Sequence, residues 1–245
     1  IWAEAAFVVG AQERLTMAQL YYQLERKDDS LRSVKLGISE AEAKGILPKE
    51  SFWALGTALY NEKNQMDKVI DYLEKLVTHY PKWKYWKQLG GMFGAQERMT
   101  DQLVAYEVIY LNGELTKESD VLAMAYMYLG AEVPYRAAKI IEKGIKDKIV
   151  EKNFKHYDLL GKSWFLAQHI PQALTSYETA SKYSDNGEIQ YLIGSTYLDL
   201  GQDMMAYKAS LKAEKKGGIK KPNANYATMG TALLNMHFYK DAVNA

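Results

Sequence analysis

Cysteine is absent from the 245 residues, so disulfides, thiolate nucleophiles and cysteine-held zinc are all excluded. The compartment stays open, because disulfide-free proteins occur in the cytosol and in the periplasm alike. Proline is scarce, at 5 residues, and the few present stand mostly where helices would meet. Phenylalanine is also rare, with 6 residues against 19 tyrosines, so most large side chains are rings with a polar tip. Such rings suit ridges that are half buried and half lining a groove. Neither sign of charge dominates, since 31 Lys and Arg stand against 30 Asp and Glu for a formal net charge of +1. That balance gives no support to general nucleic-acid binding, which needs a strongly basic face. Apolar runs such as Val121 to Leu129 fall far short of a bilayer span. Alternating β-branched runs, the signature of strands, are missing as well.

What is present is a repeat. From Phe154 the chain places Tyr157, Leu160, Gly161, Trp164, Ala173, Tyr177 and Ala180 at helical spacings. From Gly187 it places Ile193, Gly194, Tyr197, Gly201, Ala206 and Ala213, and from Trp83 it places Trp86, Leu89, Gly90, Phe93, Tyr106 and Ile109. Further copies start at Glu50 (Trp53, Tyr60, Leu73, Leu76, Pro81), Glu118 (Ala125, Tyr128, Ala137, Ile141, Gly144) and Asn223 (Tyr226, Met229, Gly230, Leu233, Ala242). These starts step by 33 to 36 residues. The pattern resembles the tetratricopeptide unit, two antiparallel helices in about 34 residues. Small residues at its positions 8 and 20 let the helices approach, and large ones fill the gap to the next unit. The expectation is an all-α, right-handed superhelical solenoid of antiparallel helix pairs, continuous over the chain. Residues 1–49 read as divergent N-terminal helices, with a looser copy from near Arg14 (Leu20, Leu24, Ser33, Val34, Gly37) and residues 1–13 closing an earlier unit or capping the array. Residues 50–245 read as five repeats and a truncated sixth. The chain starts at Ile1 and stops within a hairpin at Ala245, so it reads as a fragment or a processed product. Gly10–Arg14 recurs as Gly94–Arg98 at an offset of 84, which fits no whole number of repeats.

No catalytic or cofactor constellation emerges. The histidines, His79, His156, His169 and His237, have no partner at the spacing of a helical metal motif and read as solvated or capping residues. Gly90-Gly91-Met92-Phe93-Gly94 lacks the Lys-Ser/Thr of a phosphate loop and follows no strand. Ser163, Ser176 and Ser195 lie inside helical patterns with no His-Asp partner, and Asp28-Asp29 reads as a helix cap. In Pro81-Lys82-Trp83-Lys84-Tyr85-Trp86-Lys87, Trp86 takes position 4 of the repeat, so the cluster reads as hairpin core with solvated lysines rather than a base-stacking platform. The chain is therefore read as a non-enzyme without metal or cofactor.

In the tetratricopeptide family the first helix of each unit lines a concave face through positions 2, 5, 9 and 12. The resemblance implies a peptide groove formed here by Lys84, Lys87 and Gly91, then Tyr126, then Lys155, Asp158 and Lys162, then Tyr191 and Ser195. Its Lys-rich middle suits an acidic or carboxylate-bearing segment. The Lys-Asn-Asn-Lys-Arg set of chaperone-tail binders is missing, because Ala54, Ala58 and Leu122 stand in its slots.

A narrower resemblance covers Glu50 to Ala245. His79-Tyr80-Pro81-Lys82 running into Lys84-Tyr85-Trp86-Lys87-Gln88-Leu89-Gly90, together with Ala123-Met124-Ala125-Tyr126-Met127-Tyr128-Leu129 and Lys182-Tyr183-Ser184-Asp185-Asn186-Gly187-Glu188, resembles the tetratricopeptide proteins encoded beside TonB energy-transduction systems of gammaproteobacteria. That resemblance implies a periplasmic accessory protein for iron-chelate uptake, binding periplasmic segments of TonB-complex proteins. The alternatives are a generic adaptor or chaperone of secretion or envelope assembly, in the envelope or the cytoplasm, and a regulatory solenoid sensing a ligand or peptide. Leu233, Leu234 and Phe238 at the cut end are expected to be exposed and to favour a homodimer.

Overall fold

The structure, a computed structural model, describes residues 10–243, so residues 1–9 of the expected N-terminal cap lie outside the described residues. Among the described residues there are fourteen α-helices and no strand. In chain order the first six are α1 (Ala11–Gln23), α2 (Lys27–Ala43), α3 (Glu50–Glu62), α4 (Met66–His79), α5 (Trp83–Ala95) and α6 (Met99–Leu111). They are followed by α7 (Glu118–Gly130), α8 (Pro134–Lys146), α9 (Phe154–Leu166) and α10 (Ile170–Ala180), then a 3-10 turn at Ser181–Tyr183. The last four are α11 (Glu188–Asp199), α12 (Asp203–Lys216), α13 (Pro222–Asn235) and α14 (Tyr239–Val243). Two compact units divide the chain, one reaching to Glu114 with α1–α6 and one from Leu115 with α7–α14. In each unit every helix packs on the next one in sequence, which is the tetratricopeptide arrangement of antiparallel pairs.

All seven hairpins turn in the same way. One residue in each turn is left-handed: Glu25, Asn64, Glu97, Glu132, Gln168, Gly201 and His237, with φ between 54° and 67°. The next residue's N–H then reaches back to a carbonyl five residues earlier, closing the Schellman bond that satisfies an otherwise orphaned helix-end acceptor. These bonds run from Arg26 to Tyr21, Gln65 to Tyr60, Arg98 to Phe93, Val133 to Tyr128, His169 to Trp164, Gln202 to Tyr197 and Phe238 to Leu233, at 2.8–3.0 Å. The acceptors are the bulky residues at position 11 of the repeat.

Counting back from the turns gives units starting at Ala11, Glu50, Trp83, Glu118, Phe154, Gly187 and Asn223. The first start corrects the expected Arg14. The connector between α2 and α3 stretches the first step to 39 residues, so a count back from Glu50 at a constant period lands too late. In the corrected register Ala18 is the small residue of the first hairpin, fully buried, and the buried Ser30 hydroxyl donates to its carbonyl at 2.7 Å. Gly10–Arg14 opens α1, whereas Gly94–Arg98 closes α5 and crosses its turn, so that recurrence has no repeat meaning.

Close approach of the paired helices depends on a missing side chain. A Cβ on Gly161 would stand 2.4 Å from two ring atoms of Tyr177, and one on Gly56 2.2 Å from the ring of Tyr72. Gly90 faces Tyr106 at 3.0 Å and Gly194 faces the Ser210 hydroxyl at 2.4 Å. Each partner lies sixteen residues after its glycine, directly across the hairpin. In α7 the buried Ala125 takes the slot. Second helices supply much of the core: α4 buries Val69, Ile70, Leu73, Leu76 and Val77 on one stripe, and α8 buries Ala137, Ala138, Ile140, Ile141 and Ile145. Each fully buried Leu or Ile there contributes about 1.5–3 kcal/mol over its exposed state.

Successive hairpins are stapled by glutamates. Glu50, Glu118 and Glu188 are the first residues of α3, α7 and α11, where the helix dipole favours an acid. Glu50 accepts from Lys82 Nζ at 2.5 Å and from the Tyr85 hydroxyl. Glu118 accepts from the Glu151 amide at 2.7 Å, and Glu188 from the Lys220 amide at 2.8 Å. Trp83, Phe154 and Pro222 begin the alternate first helices α5, α9 and α13, so the staple recurs in every second hairpin.

Two substitutions test this description. Gly161→Ala gains about 1 kcal/mol of helix propensity but overpacks a Tyr177 ring that is 3% exposed, at a cost of about 1–3 kcal/mol, so the urea midpoint falls. Glu132→Gly relieves a left-handed non-glycine residue in the way Gly201 already does, and the midpoint rises by the equivalent of about 0.5–1 kcal/mol.

Candidate peptide-binding grooves

In the first unit a groove of about 550 Å³ runs along the first helices α3 and α5 over a floor from α4. Ala54, Thr57, Ala58 and Asn61 form one wall, Lys84, Tyr85, Gln88, Gly91 and Met92 the other, and Val69, Leu73 and Leu76 the floor. The small side chains of Ala54, Ala58 and Gly91 leave the space, and the hairpin contacts leave the floor apolar. Lys84 is the only charged residue of this lining. Its ammonium lies 4.6 Å from the centre of the Tyr85 ring and 3.8 Å from Glu50. Hydrogen bonds from Lys82 and then from Tyr85 hold the Glu50 carboxyl below the usual carboxylate range. Burial, followed by the bond to Glu50, pushes the Tyr85 hydroxyl up. The rim is thus a fixed ionic cluster, with two uncharged amides, Asn61 and Gln88, placed to meet a backbone. The groove has no acid, histidine or nucleophile pair to do chemistry with.

Of the expected groove residues, Lys84 and Gly91 line this cavity, whereas Lys87 is half-buried on α5 and outside its lining. Asn61, Gln88 and Met92 escaped the sequence reading. Positions 5, 9 and 12 of the unit starting at Glu50 are Ala54, Ala58 and Asn61, so the same positional rule applied one unit earlier would have found that wall.

The remaining residues belong to the second unit. Tyr126 on α7 is 59% exposed. Lys155, Asp158 and Lys162 lie on α9, and the half-buried Tyr191 and Ser195 on α11. Lys162 bonds Asp158 at 2.5 Å one helical turn away, which cancels part of the expected lysine excess. Lys155 is exposed and without a partner among the described residues. A cavity of about 340 Å³ in this unit lies between the second helices α8 and α10 beside the first helix α9, with Ile145 of α8, Tyr157 and Trp164 of α9 and Gln172 and Thr175 of α10 in its lining.

Several expectations need correction. His156 is neither solvated nor capping: it is 8% exposed, and its Nδ1 is 2.8 Å from the Glu151 carbonyl. Asn153 caps the same helix, accepting the His156 amide, which fixes the turn that buries the ring. In the aromatic–lysine cluster the core residue is Tyr85, 4% exposed, while Trp86 is only half-buried and Lys82 and Lys84 face Glu50 rather than solvent alone. Leu233 is core at 6% exposure, so only Leu234 and Phe238 of the expected end patch are exposed. Among the described residues no group of three or more His, Asp or Glu could hold a metal, and no helix is long and apolar enough to cross a membrane.

Among solved structures the chain matches a MamA protein with a TM-score of 0.53 and 18% identity, over 66% of this chain and 86% of that one. A second MamA structure gives 0.52 at 18% identity, over 64% and 89%. A chain from the structure of Naa15/Naa10 bound to HypK-THB matches with a TM-score of 0.68 at 10% identity, over 96% of this chain and 35% of that one. This chain therefore spans about a third of the Naa15/Naa10 match, and at these identities the likeness establishes the fold, a tetratricopeptide-type helical repeat. No family model and no curated protein matches the sequence.

The Glu50 cluster makes a pH prediction. Because its folded pKa is depressed, its stabilisation is present above the unfolded carboxylate value and is lost as pH falls through the folded value. Urea midpoints of the native chain and Glu50→Gln are therefore expected to differ at neutral pH and to converge below about pH 4. A constant gap across that range would mean that the carboxylate charge is irrelevant.

Proposed function

We propose that this chain is a non-catalytic scaffold that holds an extended segment of another protein in the groove between α3 and α5. The observation that carries the reading is the lining itself: an apolar floor, space left by Ala54, Ala58 and Gly91, two side-chain amides and one cation at the rim. Such a lining takes a peptide with small apolar side chains downward, its backbone against Asn61 and Gln88 and a carboxylate at Lys84. The second unit has a candidate surface of its own, with Tyr126, Lys155, Tyr191 and Ser195 as its contacts and Lys162 and Asp158 as a neutral pair. The structure of Naa15/Naa10 bound to HypK-THB is a case of this fold held within a protein assembly. The sequence resemblance supports a finer reading as a periplasmic accessory of a TonB-type uptake system.

The test is a titration of the purified chain with periplasmic segments of the cognate TonB and its membrane partners at two salt concentrations. Saturable binding is expected, weakened by salt and reduced about tenfold, or about 1.4 kcal/mol, by Lys84→Glu in a protein that still folds. Binding indifferent to Lys84→Glu and Asn61→Ala would move the site off this groove. No binding at tens of micromolar, roughly the limit of a weak complex, would discard the TonB reading and direct the search to other partners.

A further inference from the structure

The most basic stretch of the chain contributes to the lining of neither cavity described above. Residues 208–221 carry six lysines and a single acid, Glu214, in a protein whose net charge is +1. The helix α12 buries Ala206, Ala209, Ser210 and Ala213. The opposite face, at the spacing i, i+4, i+7, i+11, is Met204, Lys208, Leu211 and Lys215, with Lys212 beside them. Met204 is 48% exposed and Met205 45%. Beyond the Gly217-Gly218 turn the chain adds Lys220 and Lys221, both exposed. None of the side chains of Lys208, Lys212, Lys215, Lys220 and Lys221 makes a hydrogen bond or ion pair among the described residues. Two acids that could have met them are otherwise engaged: Asp203 accepts from Asn235 at 2.8 Å, and Glu188 from the Lys220 amide. Glu214 sits about a quarter-turn to the side of the lysine face.

We infer that this outward face of α12, with the following lysines, is a docking surface for an anionic lipid bilayer. Two exposed methionines at the start of the helix, followed along it by unpaired lysines, give an apolar tip that enters the headgroup layer and cations that meet its phosphates. The cavities described above are lined by other helices, and exposed methionine beside lysine matches the apolar and anionic layers of a bilayer surface. Nucleic acid is disfavoured because the last arginine in the chain is Arg136, so the patch has no guanidinium fork to grip phosphate or stack on a base. None of its residues belongs to the lining of the α3/α5 groove, so it does not rest on the peptide-binding proposal.

Flotation of the 245-residue chain with phosphatidylcholine vesicles, with and without phosphatidylglycerol, tests the inference. The chain is expected to float with the anionic vesicles at low salt, to be released by salt, and to ignore pure phosphatidylcholine. Lys208→Glu/Lys212→Glu/Lys215→Glu is expected to cut partitioning roughly a hundredfold, at about fivefold per lysine before reversal is counted. Met204→Ser/Met205→Ser should cut it about tenfold without changing the charge. A control of equal net charge, Lys44→Glu/Lys75→Glu/Lys146→Glu, should float as the native chain does, and circular dichroism checks that all variants fold. Equal loss in the control would reduce the effect to net charge and overturn the surface. Failure to float with anionic vesicles at low salt would overturn it too, as would retention on polyglutamate or duplex DNA without vesicle binding.

Discussion

Everything in this fold hangs on how closely the two helices of a hairpin can approach. At Gly56, Gly90, Gly161 and Gly194 a methyl group would collide with the residue sixteen positions later, and in three of the four cases that residue is a tyrosine ring. The ring lies across the bare backbone of its partner, which brings the helix axes together and closes the core without a long aliphatic side chain. This accounts for three of the nineteen tyrosines, Tyr72, Tyr106 and Tyr177, whose rings serve the hairpins. The turn follows from the same geometry. Helices held that close can be joined only by a short reversal, and the reversal costs one left-handed residue per hairpin, whatever its side chain.

Binding capacity is what this packing leaves over. Second helices spend their apolar stripes on the core, and glutamates at alternate first-helix starts spend their charge on the next hairpin. On the inner side of α3 and α5 remain small residues, two amides and Lys84, a surface shaped by the absence of bulk. In the proposed function such a surface meets main chain through the amides and a carboxylate through Lys84.

Much of the fold was legible because its determinants are residue types at fixed spacing. The glycine slot, the aromatic at position 11 and the step of 33 to 36 residues are visible in the letters, and they locate six of the seven hairpins. The first hairpin was misplaced because its connector is longer, and its slot holds Ala18, which has no distinctive signature. Most of the left-handed turn residues carry no signal: Glu, Gln and His serve as well as Asn64 and Gly201, since the helix end sets the conformation and the side chain merely tolerates it. Glu50 looked like an unremarkable first residue because its partners, Lys82 and Tyr85, stand a whole repeat away. The lysine excess of the groove was overread for a local reason: Asp158, one helical turn before Lys162, is its partner and offsets its charge.

The most direct test of the account is amide hydrogen exchange at the seven residues that follow the left-handed turn positions: Arg26, Gln65, Arg98, Val133, His169, Gln202 and Phe238. If one hairpin geometry is repeated throughout, each of these amides exchanges markedly more slowly than an unbonded surface amide, because each is held by its position-11 carbonyl. Free exchange at most of them, with the neighbouring helices still protected, would mean that the hairpins close in some other way and would contradict the close approach on which the grooves depend.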